Sequence, residues 1–178
     1  MSVKSLSQLF LVGFLGFALV GCSSTPKTDE VDNKAQATEQ VDADIEAAKA
    51  AAEAKAAEEL AAKKAELKAK IAGKVVYFDF DRSEIRSEFY DIIKANADFM
   101  ALETSAKVTI KGHCDERGTR EYNLALGERR ANAVKNALIA EGVSPSRIEV
   151  ISFGEDSPVA DGHNEEAWSK NRRAEFSY

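Results

Sequence analysis

Hydrophobic and polar positions follow several different rhythms along this chain. Residues 9–20 (LFLVGFLGFALV) form an apolar run of twelve, and Lys4 is the only charge before Lys27. Twelve helical residues rise about 18 Å, short of a hydrocarbon core of roughly 30 Å. A basic start and a short apolar run have the dimensions of an export signal rather than of a spanning helix. Residues 23–40 (SSTPKTDEVDNKAQATEQ) are polar and aperiodic, and read as a flexible spacer. Residues 41–72 turn to Ala, Glu and Lys; ten of the sixteen residues 47–62 are Ala, the best helix former. Ile45, Ala48, Ala52, Ala56, Leu60, Leu67 and Ile71 make a thin stripe, and Lys64 interrupts it. Large residues are too scarce in it for a strong coiled coil, so this helix is either a semi-rigid spacer or a weak helical partner.

Only residues 75–178 carry patterns able to bury a core. Residues 75–78 (VVYF) read as a strand, and residues 83–102 as a helix with Ile85, Phe89, Ile92, Ile93, Ala97 and Met100 on one face. Residues 107–111 (KVTIK) alternate as a second strand and run into the turn chemistry of Gly112–Gly118. A second helix is predicted over 122–141 with Gly142 as its stop, then a strand over 147–153 closed by Gly154. A short helix near 165–170 and a last strand over 173–178 (RAEFSY) complete the series. The order β-α-β-α-β-α-β predicts an α+β, two-layer domain: a mixed sheet with helices packed on it.

Charge and composition remove several function classes. The net charge of −6 disfavours a nucleic-acid partner, whose phosphates need clustered Lys and Arg. Two cysteines and two histidines cannot build a disulfide scaffold or a four-cysteine zinc site. His113, Cys114 and Asp115 are consecutive, and alternate side chains of an extended segment point apart, so they do not converge into a catalytic or metal site. No catalytic residue, metal or cofactor is expected. Cys22 is different. Leu19-Val20-Gly21-Cys22 resembles the bacterial lipobox, whose cysteine is lipidated and becomes the mature N-terminus. The lipobox pattern divides the chain into a signal at 1–21, a lipidated N-terminus and spacer at 22–40, a helical tether at 41–74 and a folded domain at 75–178. Acyl chains contribute roughly 0.8 kcal/mol per buried methylene, enough for a stable membrane anchor when several are attached. Ser23, where such lipoproteins use Asp for inner-membrane retention, implies the periplasmic face of the outer membrane.

The second helix holds an anomaly. Leu126, Val134 and Leu138 form its apolar stripe, and Arg130 lies within that stripe. A buried guanidinium without a partner is unfavourable, and Asp115, at the end of the preceding strand, is the acid best placed to face it. Two readings stay open: a structural salt bridge, or a charge pair that holds a zwitterionic ligand, Arg taking a carboxylate through two hydrogen bonds and Asp an ammonium.

The run Gly112-His113-Cys114-Asp115-Glu116-Arg117-Gly118-Thr119-Arg120-Glu121-Tyr122-Asn123-Leu124-Ala125-Leu126-Gly127-Glu128-Arg129-Arg130-Ala131 resembles the signature of the OmpA-like peptidoglycan-binding domain. Tyr77-Phe78-Asp79-Phe80-Asp81 resembles the family's first strand, and Lys170-Asn171-Arg172-Arg173-Ala174 its late Asn-Arg-Arg motif. With the lipobox, the chain resembles the peptidoglycan-associated lipoproteins of the Tol system. The resemblance implies that Asp115 and Arg130 hold the diaminopimelate of the peptidoglycan stem peptide, with Phe80, Asp81, Asn123 and Leu126 completing the pocket. It also implies Cys22 as the lipidated residue, a role in envelope integrity and cell division, and the periplasmic β-propeller protein of the Tol system as a partner. Two departures stand out. Cys114 replaces the expected Ala or Thr, and the long tether is also compatible with another lipoprotein of this domain type that anchors the envelope without Tol partners.

Overall fold

The computed structural model describes residues 32–178, with side chains from residue 44. The apolar run and Cys22 lie outside the described residues. Helix α1 spans Asp32–Ile71 and so begins inside the stretch expected to be flexible spacer. Lys34, Ala35, Ala37, Glu39 and Gln40 are good helix formers, and propensity carries the helix back through them.

The remaining elements are β1 (Val75–Tyr77), α2 (Tyr90–Leu102), β2 (Val108–His113), α3 (Arg120–Ala140), β3 (Ile148–Gly154), α4 (Glu165–Asn171) and β4 (Arg173–Ser177). The sheet order is β1-β4-β2-β3; β4 lies antiparallel to both β1 and β2, and β2 is parallel to β3. This is the expected mixed sheet. The parallel β2–β3 pair is the one that needs a long crossover, and α3 supplies it.

The core lies between the sheet and helices α2 and α3. Val76, Val108 and Ile110 from the sheet meet Ile93 and Met100 from α2 and Val134 and Leu138 from α3, all essentially inaccessible. Each such side chain contributes roughly 1.5–3 kcal/mol of burial. Leu67 and Ile71, in the last turns of α1, pack against the same core, and Lys64 reaches Glu103 at 3.1 Å. The end of the tether is therefore part of the domain's packing.

One expected boundary is wrong for an instructive reason. The helix predicted from Ser83 starts at Tyr90, after a single 3₁₀ turn at Ser87–Phe89, and Arg86 is extended. The carbonyl of Arg82, which a helix starting at Ser83 would use in its first turn, instead accepts a hydrogen bond from Arg130 Nε at 2.9 Å.

Helix α3 and strand β2 touch backbone to backbone. A Cβ added at Gly112 would lie 1.9 Å from the Gly127 carbonyl oxygen, and one at Gly127 would lie 2.4 Å from Ser152 Oγ. Only glycine permits this approach, which places the first half of α3 directly over the end of β2.

Candidate binding pocket

The pocket forms where β2 ends and α3 begins. Thr119 caps α3, its hydroxyl accepting from the Tyr122 backbone N–H at 3.2 Å. Counting along the helix, Asn123, Leu126 and Arg130 then share the buried face. Asp115 follows β2 past a register shift at Gly112/His113. Phe80 and Asp81 follow β1, with Asp81 in the left-handed region at φ 58°. Phe80, Asp81, Asp115, Asn123, Leu126 and Arg130, the six residues singled out from the sequence, line one cavity of about 190 Å³.

Arg130 is 0% exposed and no carboxylate pairs with it among the described residues. Its guanidinium instead donates to the carbonyls of Asp79 (3.0 Å), Arg82 (2.9 Å) and His113 (2.8 Å), and to Cys114 Sγ (3.3 Å). Guanidinium has five N–H donors, so one remains for the pocket. Desolvation pulls the Arg130 pKa downward. The expectation of two parallel bonds to a ligand carboxylate is thus revised: Arg130 has one free donor, and a second only if the weak bond to sulfur is released.

Asp115 is not the partner of Arg130 either. Its Oδ1 accepts from the Arg117 backbone N–H (3.1 Å) and Nε (3.2 Å). Its Oδ2 accepts from Arg117 Nη2 (2.6 Å) and Arg172 Nη1 (3.2 Å). Burial pushes the Asp115 pKa up, and the bonds from Arg117 and then Arg172 outweigh it, so the carboxyl sits below its ordinary value. The internal Asp115–Arg130 salt bridge, one of the two readings of the sequence, does not form.

Asn123 is locked, the two N–H groups of its amide shared among the carbonyls of Asp115 and Arg117 (3.2 Å each) and Glu155 Oε2 (2.5 Å). Asp81 accepts from the Tyr122 hydroxyl. Phe80 is 55% exposed at the rim. Cys114 is buried, and burial pushes its thiol up to about 11. The thiol donates to the Asn123 carbonyl at 3.3 Å and remains neutral, serving as a small wall residue between Asn123 and Arg130.

Sequence reasoning assigned no part to Arg117, Tyr122, Trp168 or Arg172. Arg117 spans the pocket mouth with its guanidinium 3.9 Å from the Phe80 ring centroid and 4.1 Å from that of Trp168. Arg172 also donates to the Phe78 carbonyl (3.1 Å) and to Glu165 (2.5 Å). The Asn-Arg-Arg run was the available signal for Arg172. Arg117 and Trp168 lie far apart in the chain, and only the fold brings them together.

The profile of the OmpA family matches residues 77–172, more than half of the chain. The chain belongs to the OmpA family. A peptidoglycan-associated lipoprotein of Pasteurella multocida is 48% identical over 103 residues, which cover 58% of this chain and 69% of that one. One of Pseudomonas aeruginosa is 46% identical over 100 residues, 56% of this chain and 59% of that one. The crystal structure of the peptidoglycan-associated lipoprotein from Burkholderia pseudomallei superposes with a TM-score of 0.59 at 42% identity, covering 60% of this chain and 91% of that one. The family is structural, and the chain is not an enzyme. Among the described residues, no helix is long and apolar enough to cross a membrane.

Proposed function

We propose that the domain binds the peptidoglycan stem peptide non-covalently through its diaminopimelate residue. The observation that carries this reading is the buried Arg130 guanidinium, unpaired with any carboxylate among the described residues, keeping one free donor and lining a cavity that Asp81 and Asp115 also line. The end of diaminopimelate carries an amine and a carboxylate on one carbon, so it presents both charges to such a site. Phe80 and Leu126 supply apolar contact for the methylene chain. Cys22 carries the lipid that holds the protein in the outer membrane, facing the periplasm, and residues 22–74 span the distance to the wall. Relatives named for peptidoglycan association support this arrangement. Within it the protein works with the Tol system, chiefly its periplasmic β-propeller protein, in envelope integrity and cell division.

The test is calorimetric titration of the full chain with a stem tripeptide ending in meso-diaminopimelate, and with the same peptide ending in lysine. Lysine keeps the amine and lacks the terminal carboxylate. Arg130→Ala should weaken the first peptide roughly thirtyfold or more, since truncated charge partners typically remove about 2–5 kcal/mol. Arg130→Ala also strips a donor from the buried carbonyls, which lowers the melting temperature. Asp81→Asn, at an exposed position, should weaken binding without that loss of stability. The proposal fails if wild type does not distinguish the peptides, or if both variants bind as wild type does.

A further inference from the structure

The diaminopimelate reading requires an acid for the ligand's ammonium, yet Asp115 is already saturated by Arg117 and Arg172. These two arginines differ in how firmly they are held. Arg172 has a nearly inaccessible side chain and is tied to Phe78, Glu165 and Asp115 at once. Arg117 sits on the pocket side with its side chain 30% exposed, on the loop between β2 and α3, and every hydrogen bond its side chain makes goes to Asp115. Its guanidinium also lies against the ring faces of Phe80 and Trp168. Trp168 is itself fixed, its indole N–H donating to Glu116 at 2.8 Å, and Glu116 is tied to His163 at 2.7 Å. A second acid waits beside Arg117: Glu165 Oε2 lies 3.6 Å from its Nη2 on the exposed side.

We propose that Arg117 is an internal occupant of the ammonium side of the pocket, stacked between Phe80 and Trp168 on Asp115 in the free protein, and that a ligand ammonium displaces it toward Glu165. This rests on the diaminopimelate reading and adds a self-competition to it. A cation supplied by the chain keeps Asp115 satisfied when no ligand is present, because an unpaired buried carboxylate would be unfavourable. The apparent affinity for the wall peptide is then the intrinsic affinity reduced by the fraction of time that Arg117 is away. Arg117 is a specificity-setting residue, because only a ligand with a cation placed to reach Asp115 compensates for its departure.

The test has a ligand-free arm and a ligand arm, both on the full chain in detergent micelles. In the free protein, the Arg117 Nε–Hε resonance should be protected from solvent exchange and displaced by the ring currents of Phe80 and Trp168. Saturating meso-diaminopimelate tripeptide should restore it to the position and exchange rate of a solvent-exposed arginine. Arg117→Ala should bind the tripeptide about tenfold more tightly than wild type, the factor expected for a site open roughly a tenth of the time. Trp168→Leu, which removes one wall and leaves Asp115 untouched, should tighten binding by a smaller factor. Melting curves identify any variant that has lost its fold, and the other variant then decides. Equal or weaker tripeptide binding by the folded variants overturns the internal-occupant proposal while the wall-binding reading stands. So does an Arg117 resonance that already exchanges freely in the unliganded chain. If neither wild type nor the variants bind the tripeptide, the wall-binding reading and this proposal fall together.

Discussion

From residue 44 onward, helix α1 exposes every residue except Lys64, Leu67 and Ile71. Helix α3 buries Asn123, Leu126, Gly127, Arg130, Ala131, Val134 and Leu138. The two long helices are helical for different reasons. Alanine-rich composition sustains α1, with pairs such as Glu59–Lys63 and Glu66–Lys70 spaced to assist it. Packing sustains α3, which tolerates an asparagine, a glycine and a buried arginine on its inner face because the sheet and the pocket use each of them. A helix that stands by propensity alone can be exchanged for another of similar composition. One that stands by packing cannot, since its residues are also the site.

The largest effect should follow from pushing α3 off the sheet. Gly112→Ala places a methyl group 1.9 Å from the Gly127 carbonyl, and backbone on both sides cannot yield. The expected loss is roughly 4 kcal/mol or more, seen as collapse of the cooperative melt and of tripeptide binding together. A melting temperature within a few degrees of wild type would contradict the close packing described for this contact.

Acid should separate the two helices next. His113 lies at the end of β2, buried and stacked on Phe153 at 5.2 Å, and neither ring nitrogen has a hydrogen-bond partner among the described residues. Burial, with Arg173 adding to it, lowers its pKa to about 4. The unfolded chain takes up this proton below its ordinary value of about 6.5, and the folded chain only below about 4. Folded stability therefore falls as pH drops through that window, by about 2–3 kcal/mol from this group. His113→Phe should flatten that part of the pH–stability curve in urea melts. Helix α1 has no histidine, and its far-ultraviolet signal should survive where the domain's near-ultraviolet signal fades.

Leu67→Ala probes the seam between the two modes of helix. Leu67 packs on the core from α1, so its truncation should lower the domain's stability by roughly 1–2 kcal/mol, less than for a fully buried leucine. No change in the chemical melt would mean that α1 merely touches the domain. The smallest effect belongs to Ala56→Gly, at an exposed position in mid-helix. It should reduce local helix stability by about 1 kcal/mol, visible as lost helical signal, with domain melting and peptide binding unchanged.

Much of this was legible in the chain. The order of elements, the mixed sheet and the burial of Arg130 followed from hydrophobic period, and the six pocket residues from a motif whose positions could be matched one by one. These features depend on neighbours in sequence, where a stripe or a turn residue carries its own physical reason. Helix boundaries were less legible. The segment ahead of Tyr90 has a helical stripe, but the carbonyls just before it, of Asp79 and Arg82, are drawn to an arginine on α3.

Charge pairing was decided by the tertiary structure alone. On sequence spacing, Asp115 and Arg130 are natural partners. In the fold, Arg130 donates to carbonyls of the segment after β1 and of the end of β2, while Asp115 is claimed by Arg117 beside it and by Arg172 from the far end of the chain. A guanidinium accepts any well-placed oxygen as a partner, and a carboxylate any well-placed N–H. Which ones are well placed depends on how β1, β2, α3 and α4 come together, a distance relation that no local pattern encodes.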